Sequence, residues 1–331
     1  MAVYNQIYTK EKFSQVYPEN RRILEDFVME LKQTKKSEGT IKQYINDIRM
    51  AYIYMLDYCD NKSILDMTKR EFRSMSMWFS DTCGMSSARV NRILSALRSL
   101  LDFVEDEDDY HYDNNVTRRV KGLPKKPVRE IFFLSNATIM ELVDRLIKKK
   151  KYQKATLVML LYDSAGRRNE VAQVKKDSFL DEKKSCTNKV VGKRGKIFPL
   201  IYHSGTKKCA KLWLEQRGDD DIEELFIVQD KDGKRPASDL NIYNWIVGLR
   251  RDIEAIEGKH TDFNVHSFRH SAMENYSTGT HYFCVERGIK GISVEKLSKL
   301  ANHSNISTTQ GYLKDKSMEE LEEVFGISLS D

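Results

Sequence analysis

Hydrophobic periodicity constrains this chain most. From Thr40 onward, Ile41, Tyr44, Ile45, Ile48, Ala51 and Tyr52 recur at three- and four-residue steps, the spacing of one helical face. Lys42, Asn46 and Arg49 fall between them and line the other face. A second stretch, Val90, Ile93, Leu94, Leu97, Leu100, Leu101 and Val104, carries Arg89, Arg92 and Arg98 on or near its polar side. A helix with one apolar stripe must bury it, so these stretches predict amphipathic helices packed on a common core. Residues 20–105 as a whole read as helices joined by short turns, and with about 20 residues before them no added N-terminal domain is expected.

Beyond the acidic run Glu105–Asp109 the character changes. Residues 118–129 hold Arg118, Arg119, Lys121, Lys125, Lys126 and Arg129, no acid, and Pro124 and Pro127, which predicts a basic interdomain linker able to neutralise phosphates. A chain of 331 residues suits two cores. The expected division is a helical domain over 1–117, a linker over 118–130 and a second domain over 131–331. In that second domain Ser135 opens a helix as its N-cap, and Thr156 to Tyr162 is a buried helix. Val190-Val191, Ile197 to Tyr202 and Leu225 to Val228 are short β-prone runs set off by Gly192, Gly195 and Gly205, and the chain is helical again from Leu240. The expected fold class is therefore mainly α with a small antiparallel β-sheet in the C-terminal domain.

Composition excludes several classes. With 40% hydrophobic and 31% charged residues and 5 prolines, no tract reads as disordered. No apolar run approaches the roughly 18 to 20 residues that span a bilayer, and Lys10, Glu11 and Lys12 interrupt any signal-peptide core, so a cytoplasmic chain without a membrane partner is expected. The 5 cysteines, Cys59, Cys83, Cys186, Cys209 and Cys284, form no CxxC pair and read as reduced and structural. A net charge of +6 and a pI near 8.8 are compatible with a polyanion partner and equally common without one.

Four separated segments carry polar groups suited to phosphoryl transfer. Ser164-Ala165-Gly166-Arg167-Arg168-Asn169-Glu170 ends an apolar helix. An Arg there offers a phosphate a planar fork of donors oriented by the acid, or it simply pairs with Glu170 at the surface. Gly192-Lys193-Arg194-Gly195-Lys196 fits a basic turn whose lysine either protonates a leaving oxygen or is only solvated. His266-Ser267-Phe268-Arg269-His270 puts His266 and Arg269 on one helical face as phosphate-directed donors. A metal site is the rival there, and it lacks a second cluster of carboxylates or thiolates with matching spacing. His303-Ser304-Asn305-Ile306-Ser307-Thr308-Thr309-Gln310-Gly311-Tyr312 ends on a hydroxyl that attacks phosphorus only where positive groups offset the developing charge, and that otherwise packs.

In this order, SAGRRNE, GKRGK, HSFRH and ANHSNISTTQGY resemble the Arg, Lys, His-x-x-Arg, His and Tyr boxes of the tyrosine recombinase (phage integrase) family. The step from His303 to Tyr312 is the most specific part. The Glu38-Gly39-Thr40-Ile41-x-x-Tyr44 start likewise resembles that family's SAM-like core-binding domain, so the likeness covers nearly the whole chain. It implies a two-domain clamp on double-stranded DNA. Tyr312 would attack the scissile phosphate to give a 3′-phosphotyrosyl link and a 5′-hydroxyl. Arg167 and Arg269 would hold the nonbridging oxygens, His266 and His303 would support the transition state and proton movements, and Lys193 would protonate the departing oxygen. The link conserves the bond energy, so neither cofactor, metal nor nucleotide is implied.

The resemblance also implies DNA contacts from Thr40, Lys42, Tyr44, Arg89, Arg92, Arg118, Arg119, Lys121, Lys125 and Lys126, at simple paired core sites. It implies a homo-oligomer on DNA, dimer or tetramer, with Met318, Leu321, Val324 and Phe325 as an apolar stripe that either exchanges between neighbours or packs on its own chain. Departures are visible. Ala165 stands where the family usually has Gly two residues before its first Arg, which leaves Arg168 as a rival to Arg167. Asn302 replaces the Gly before the last His, and the stretch from His270 to His303 is longer than usual. An active site-specific recombinase is therefore weighed against a noncatalytic regulator, such as a phage-type repressor, that keeps the clamp and no longer cuts. A type IB topoisomerase ranks third.

Overall fold

A computed structural model describes residues 3–124, 131–231 and 233–314. The chain divides into two compact units, Met1–Arg129 and Glu130–Asp331. The first is helical: α1 (Val3–Ile7), α2 (Lys10–Ser14), α3 (Pro18–Gln33), α4 (Glu38–Tyr58), α5 (Lys69–Met77) and α6 (Ser87–Asp106). Ser37 caps α4 by accepting from the Thr40 amide, and Ser86 caps α6 by accepting from Arg89, each satisfying one orphan donor of a first turn. The expected stripes meet, with Ile48, Ala51 and Tyr52 of α4 and Ile93, Leu97 and Leu101 of α6 buried in one core. Each such Ile or Leu contributes roughly 1.5–3 kcal/mol.

Two expectations for this unit change. Helical turns α1 and α2 precede residue 20 and pack on α4. Residues 118–123, expected in the linker, are docked on the first unit instead. Val116–Arg119 forms a 3-10 turn against α6, Val120 is buried, and Arg118 pairs with Asp102 at 2.6 Å and Glu105 at 2.5 Å. Asn91 then accepts from the Leu123 amide at 2.7 Å and donates to its carbonyl at 2.9 Å. Val120 and Leu123, apolar residues inside a basic stretch, supply the reason. Lys125, Lys126, Pro127 and Arg129, and the stripe from Met318 to Phe325, lie outside the described residues.

The second unit contains α7 (Asn136–Lys148), α8 (Tyr152–Ser164), α9 (Arg168–Val171), β1 (Cys186–Val191), β2 (Ile197–Ile201), α10 (Ser204–Arg217), β3 (Ile227–Asp230), β4 (Gly233–Pro236), α11 (Asp239–Val247), α12 (Arg250–Glu257), α13 (Ser267–Ser277), α14 (Tyr282–Glu286), α15 (Val294–Leu300) and α16 (Ile306–Gln310). α8 is buried on every side from Ala155 to Ser164 and packs against α7, α10 and α13, which makes it the unit's central rod. A helix apolar all round belongs there. Rather than one small sheet there are two antiparallel pairs, β1–β2 and β3–β4. β4, with sequence Gly-Lys-Arg-Pro and every residue exposed, has no strand pattern to read; it is defined only by pairing with β3.

The long stretch after α13 is an excursion pinched at its base. Gly279 has φ +73°, and a Cβ there would sit 2.3 Å from the Lys290 carbonyl oxygen; one on Gly291 would meet the Ser277 carbonyl oxygen at 2.4 Å. Gly288 has φ +65° with open space around it. Gly288→Ala should therefore cost about 1 kcal/mol, from left-handed strain alone. Gly279→Ala should cost about 3 kcal/mol, because a backbone clash is added. Denaturant unfolding of the two variants measures the difference, and equal losses would contradict the pinch.

Candidate active site

α13 carries Arg269 into the interior of the second unit, where it is 2% exposed. A guanidinium only donates, and its partners here are carbonyls and a histidine. Nη1 donates to the Ala165 carbonyl, and Nη2 donates to the Ala301 carbonyl at 2.9 Å and to His303 Nε2 at 2.6 Å. Arg269 Nε is buried without a hydrogen-bond partner among the described residues. Burial and then the charge of Arg167 lower its pKa to about 10, while Tyr312 and Glu170 oppose the shift, so it stays cationic at neutral pH.

That contact fixes the His303 tautomer. Nε2 accepts from Arg269, so the proton sits on Nδ1 and is donated to Thr309 Oγ1 at 2.8 Å. Burial, then the charges of Arg269, Arg167 and Lys196, lower the His303 pKa to about 4, which keeps the ring neutral. Tyr312 covers this pair. Its ring stacks on His270 at 4.4 Å, lies 5.2 Å from the His303 ring, and has the Arg269 guanidinium carbon 5.2 Å from its centroid. His270 follows Arg269 directly and was visible in the motif, but nothing in the sequence assigned it to the tyrosine.

Arg167 projects from the turn between α8 and α9. Glu170, 1% exposed, accepts from the Arg167 main-chain amide at 2.7 Å and from its Nη1 at 2.9 Å, so the acid orients the arginine. Arg168 turns away, to Asp239 at 2.7 Å and over the Tyr243 ring. The departures from the family's glycines now have a geometry: Ala165 has φ +48° and Asn302 φ +52°. Both hold the left-handed conformation that glycine adopts freely, at a strain of roughly 1–2 kcal/mol for Ala165 and less for Asn.

Lys193 lies on the 3-10 turn between β1 and β2, exposed. It lines a cavity of about 350 Å³ with Arg167, Arg194, Lys196, His303 and Asn305; its lining has four cationic side chains and no carboxylate. Such a cavity suits an anion. His266 stands at the N-cap of α13, exposed in part; its partial burial, then the charges of Arg269, Arg168 and Arg167, lower its pKa. Arg167, Lys193, His303, Arg269 and Tyr312 thus gather at one place, with His266 at its edge. Among the described residues no group of three or more His, Cys, Asp or Glu is placed to hold a metal ion. No described helix is long and apolar enough to cross a membrane.

In the first unit, Thr40, Tyr44 and Arg92 line a second cavity, of about 450 Å³, while Lys42 is exposed beside them. Asp47, 1% exposed, organises this wall by pairing with Arg89 and, at 3.3 Å, with Arg92. Sequence reading missed Asp47, because an acid on the apolar side of α4 has no signature of its own. Arg119 and Lys121 are exposed, whereas Arg118 is already neutralised by its two acids.

The sequence matches the model of the Phage integrase family over residues 133–319 and that of the phage integrase N-terminal SAM-like domain over 24–108. It is 26% identical over 327 residues to the SPbeta prophage-derived recombinase-like protein YomM of Bacillus subtilis, covering 94% of this chain and 92% of that one. It is 22% identical over 302 residues to a tyrosine recombinase of Thermosipho africanus, covering 88% and 93%. Its fold matches that of a lambda integrase dimer bound to a COC′ core site with a TM-score of 0.65 at 14% identity, over 89% of this chain and 95% of that one. With the family's pattern running through more than half of its 331 residues, the chain belongs to the phage integrase family of tyrosine recombinases.

Proposed function

We propose that this chain is an active site-specific DNA recombinase. The observation that carries the reading is the grip of Arg269, which fastens the Arg167 turn through Ala165, the end of α15 through Ala301, and His303, all beneath the ring of Tyr312. In the proposed step the Tyr312 oxygen bonds to the scissile phosphorus as the bond from phosphorus to the 5′-oxygen breaks. Arg167 and Arg269 hold the nonbridging oxygens, where charge develops. His303, held neutral between Arg269 and Thr309, supports the transition state, His266 takes the tyrosine proton, and Lys193 gives the leaving oxygen its proton. Joining is the reverse, with a different 5′-hydroxyl.

Thr40, Lys42, Tyr44, Arg92, Arg119 and Lys121 are the proposed duplex contacts of the first unit, with Arg89 supporting Arg92 through Asp47. The lambda integrase of known structure binds a core site as a dimer and a Holliday junction as a tetramer, which supports a homo-oligomer on DNA for this chain.

Nicked suicide duplexes carrying sites recovered by genomic binding test the reading directly. The wild-type chain should leave a covalent adduct on a denaturing gel and Tyr312→Phe none. Tight binding with no wild-type adduct would move the chain to a DNA-binding regulator on this scaffold. Arg167→Ala should slow single-turnover cutting by about 10²–10³-fold, while Arg168→Ala, held by Asp239, should stay within about tenfold of wild type; the opposite order would reverse the assignment. Lys193→Ala should lose about 10²–10⁴-fold on ordinary DNA. A duplex with sulfur in place of the 5′ bridging oxygen needs no proton on its leaving group and should restore cutting. No restoration would remove Lys193 as the acid.

A further inference from the structure

Behind the Arg167 turn, inside the second unit, lies a polar cluster that the proposed chemistry does not use. Its centre is Asp163, next to last in α8 and wholly buried. Oδ2 accepts from the His203 amide at 2.9 Å and the Thr206 hydroxyl at 2.5 Å, and Tyr282 donates to the same carboxylate at 2.8 Å. The Asp163 main-chain carbonyl accepts from Tyr276 at 2.7 Å, and His203 Nε2 completes that link by donating to the Tyr276 oxygen at 2.9 Å. Gly205 leaves room for Tyr282 beside the carboxylate; a Cβ there would lie 2.9 Å from the Tyr282 oxygen.

Tyr282 belongs to the pinched excursion, the part of the chain longer than its family resemblance predicts. Two residues beyond Asp163, Ala165 offers its carbonyl to Arg269, and two further on stands Arg167. We propose that Asp163 is a positioning residue for strand cleavage, fixing the end of α8 on which the Ala165 carbonyl and Arg167 are presented, and that the excursion serves to supply its Tyr282 donor. The inference rests on the recombinase reading of Arg167 and Arg269. It acts through geometry, since a displacement of about 1 Å in a reacting centre costs on the order of 10²-fold in rate.

The titratable groups facing Asp163 are Tyr162 of α8, His203 before α10, Cys209 of α10, Tyr276 of α13, and His281 and Tyr282 of the excursion. Burial raises the three tyrosines and takes Cys209 to about 12, and it lowers His203 to about 4 and His281 to about 3. Burial lifts Asp163 to about 6, against its donors. Within the cluster, Asp163 alone changes charge between about pH 5 and 8. Its carboxylate, and with it the full set of donor contacts, is present above about pH 6 and lost below. Removing a donor to the charged form raises the pKa further.

The test uses the full chain and the suicide duplex. Tyr282→Phe removes one oxygen and no carbon volume. It should slow adduct formation by bound protein about ten- to hundredfold near pH 6, recover toward pH 8, and leave DNA affinity unchanged. Asp163→Asn should be slow at every pH. Wild-type cutting and pH profile in Tyr282→Phe would overturn the proposal, and so would a loss confined to melting temperature and affinity. Amide hydrogen exchange at residues 164–169 of the same variant, without DNA, reads the cluster independently of activity. Faster exchange is expected, and unchanged exchange would overturn the inference even if the wild type cuts. If the wild type leaves no adduct while exchange rises, the recombinase reading fails, and with it the positioning role of Asp163 in cleavage.

Discussion

A guanidinium cannot be buried without acceptors, and the site of this protein is organised by that requirement. Arg269 is nearly inaccessible, and each unpaired donor of such a group costs on the order of 1–3 kcal/mol or more. Its acceptors come from three places in the chain: Ala165 after α8, Ala301 after α15, and His303. Supplying acceptors to its two terminal nitrogens therefore draws together segments separated by more than a hundred residues, and it selects the neutral His303 tautomer that Thr309 completes. Among the described residues no carboxylate forms an ion pair with Arg269. Its charge stays available in a site whose adjoining cavity already has a cationic lining, which is the preorganisation that phosphoryl transfer uses.

The backbone makes room for this grip. Ala165 presents its carbonyl to Arg269 from a left-handed conformation, and Asn302 takes the same conformation just before His303. At both positions the backbone shape that glycine would allow is kept without glycine. Strain at such positions persists where the surroundings over-determine it. At Ala165 those surroundings include the Asp163 cluster on one side and Glu170 on the other.

Much of this was legible in the sequence. The stripes of α4 and α6 announced themselves by period, Ser135 by its capping position, and α8 by its unbroken apolar run. Arg167, Lys193, His266, Arg269, His303 and Tyr312 stood out by type and spacing, but only their order gave them weight together. What stayed hidden were relations made by tertiary contact. Asp47 and Asp163 look like ordinary acids until burial surrounds them with donors or cations. β4 has no apolar alternation, and residues 118–123 look like linker because their charges mask Val120 and Leu123. His270 was in plain view, yet its stacking on Tyr312 depends on how the chain returns from α16.

The measurement that bears most directly on the account is the chemical identity of the protein–DNA bond. A trapped complex, digested with protease and nuclease and analysed by mass spectrometry, should yield a peptide containing Tyr312 with a nucleotide joined through the tyrosine oxygen to a 3′-phosphate. A nucleotide on any other side chain, or a link through a 5′-phosphate, would contradict the assembly of Arg269, His303 and Tyr312 as the cutting centre.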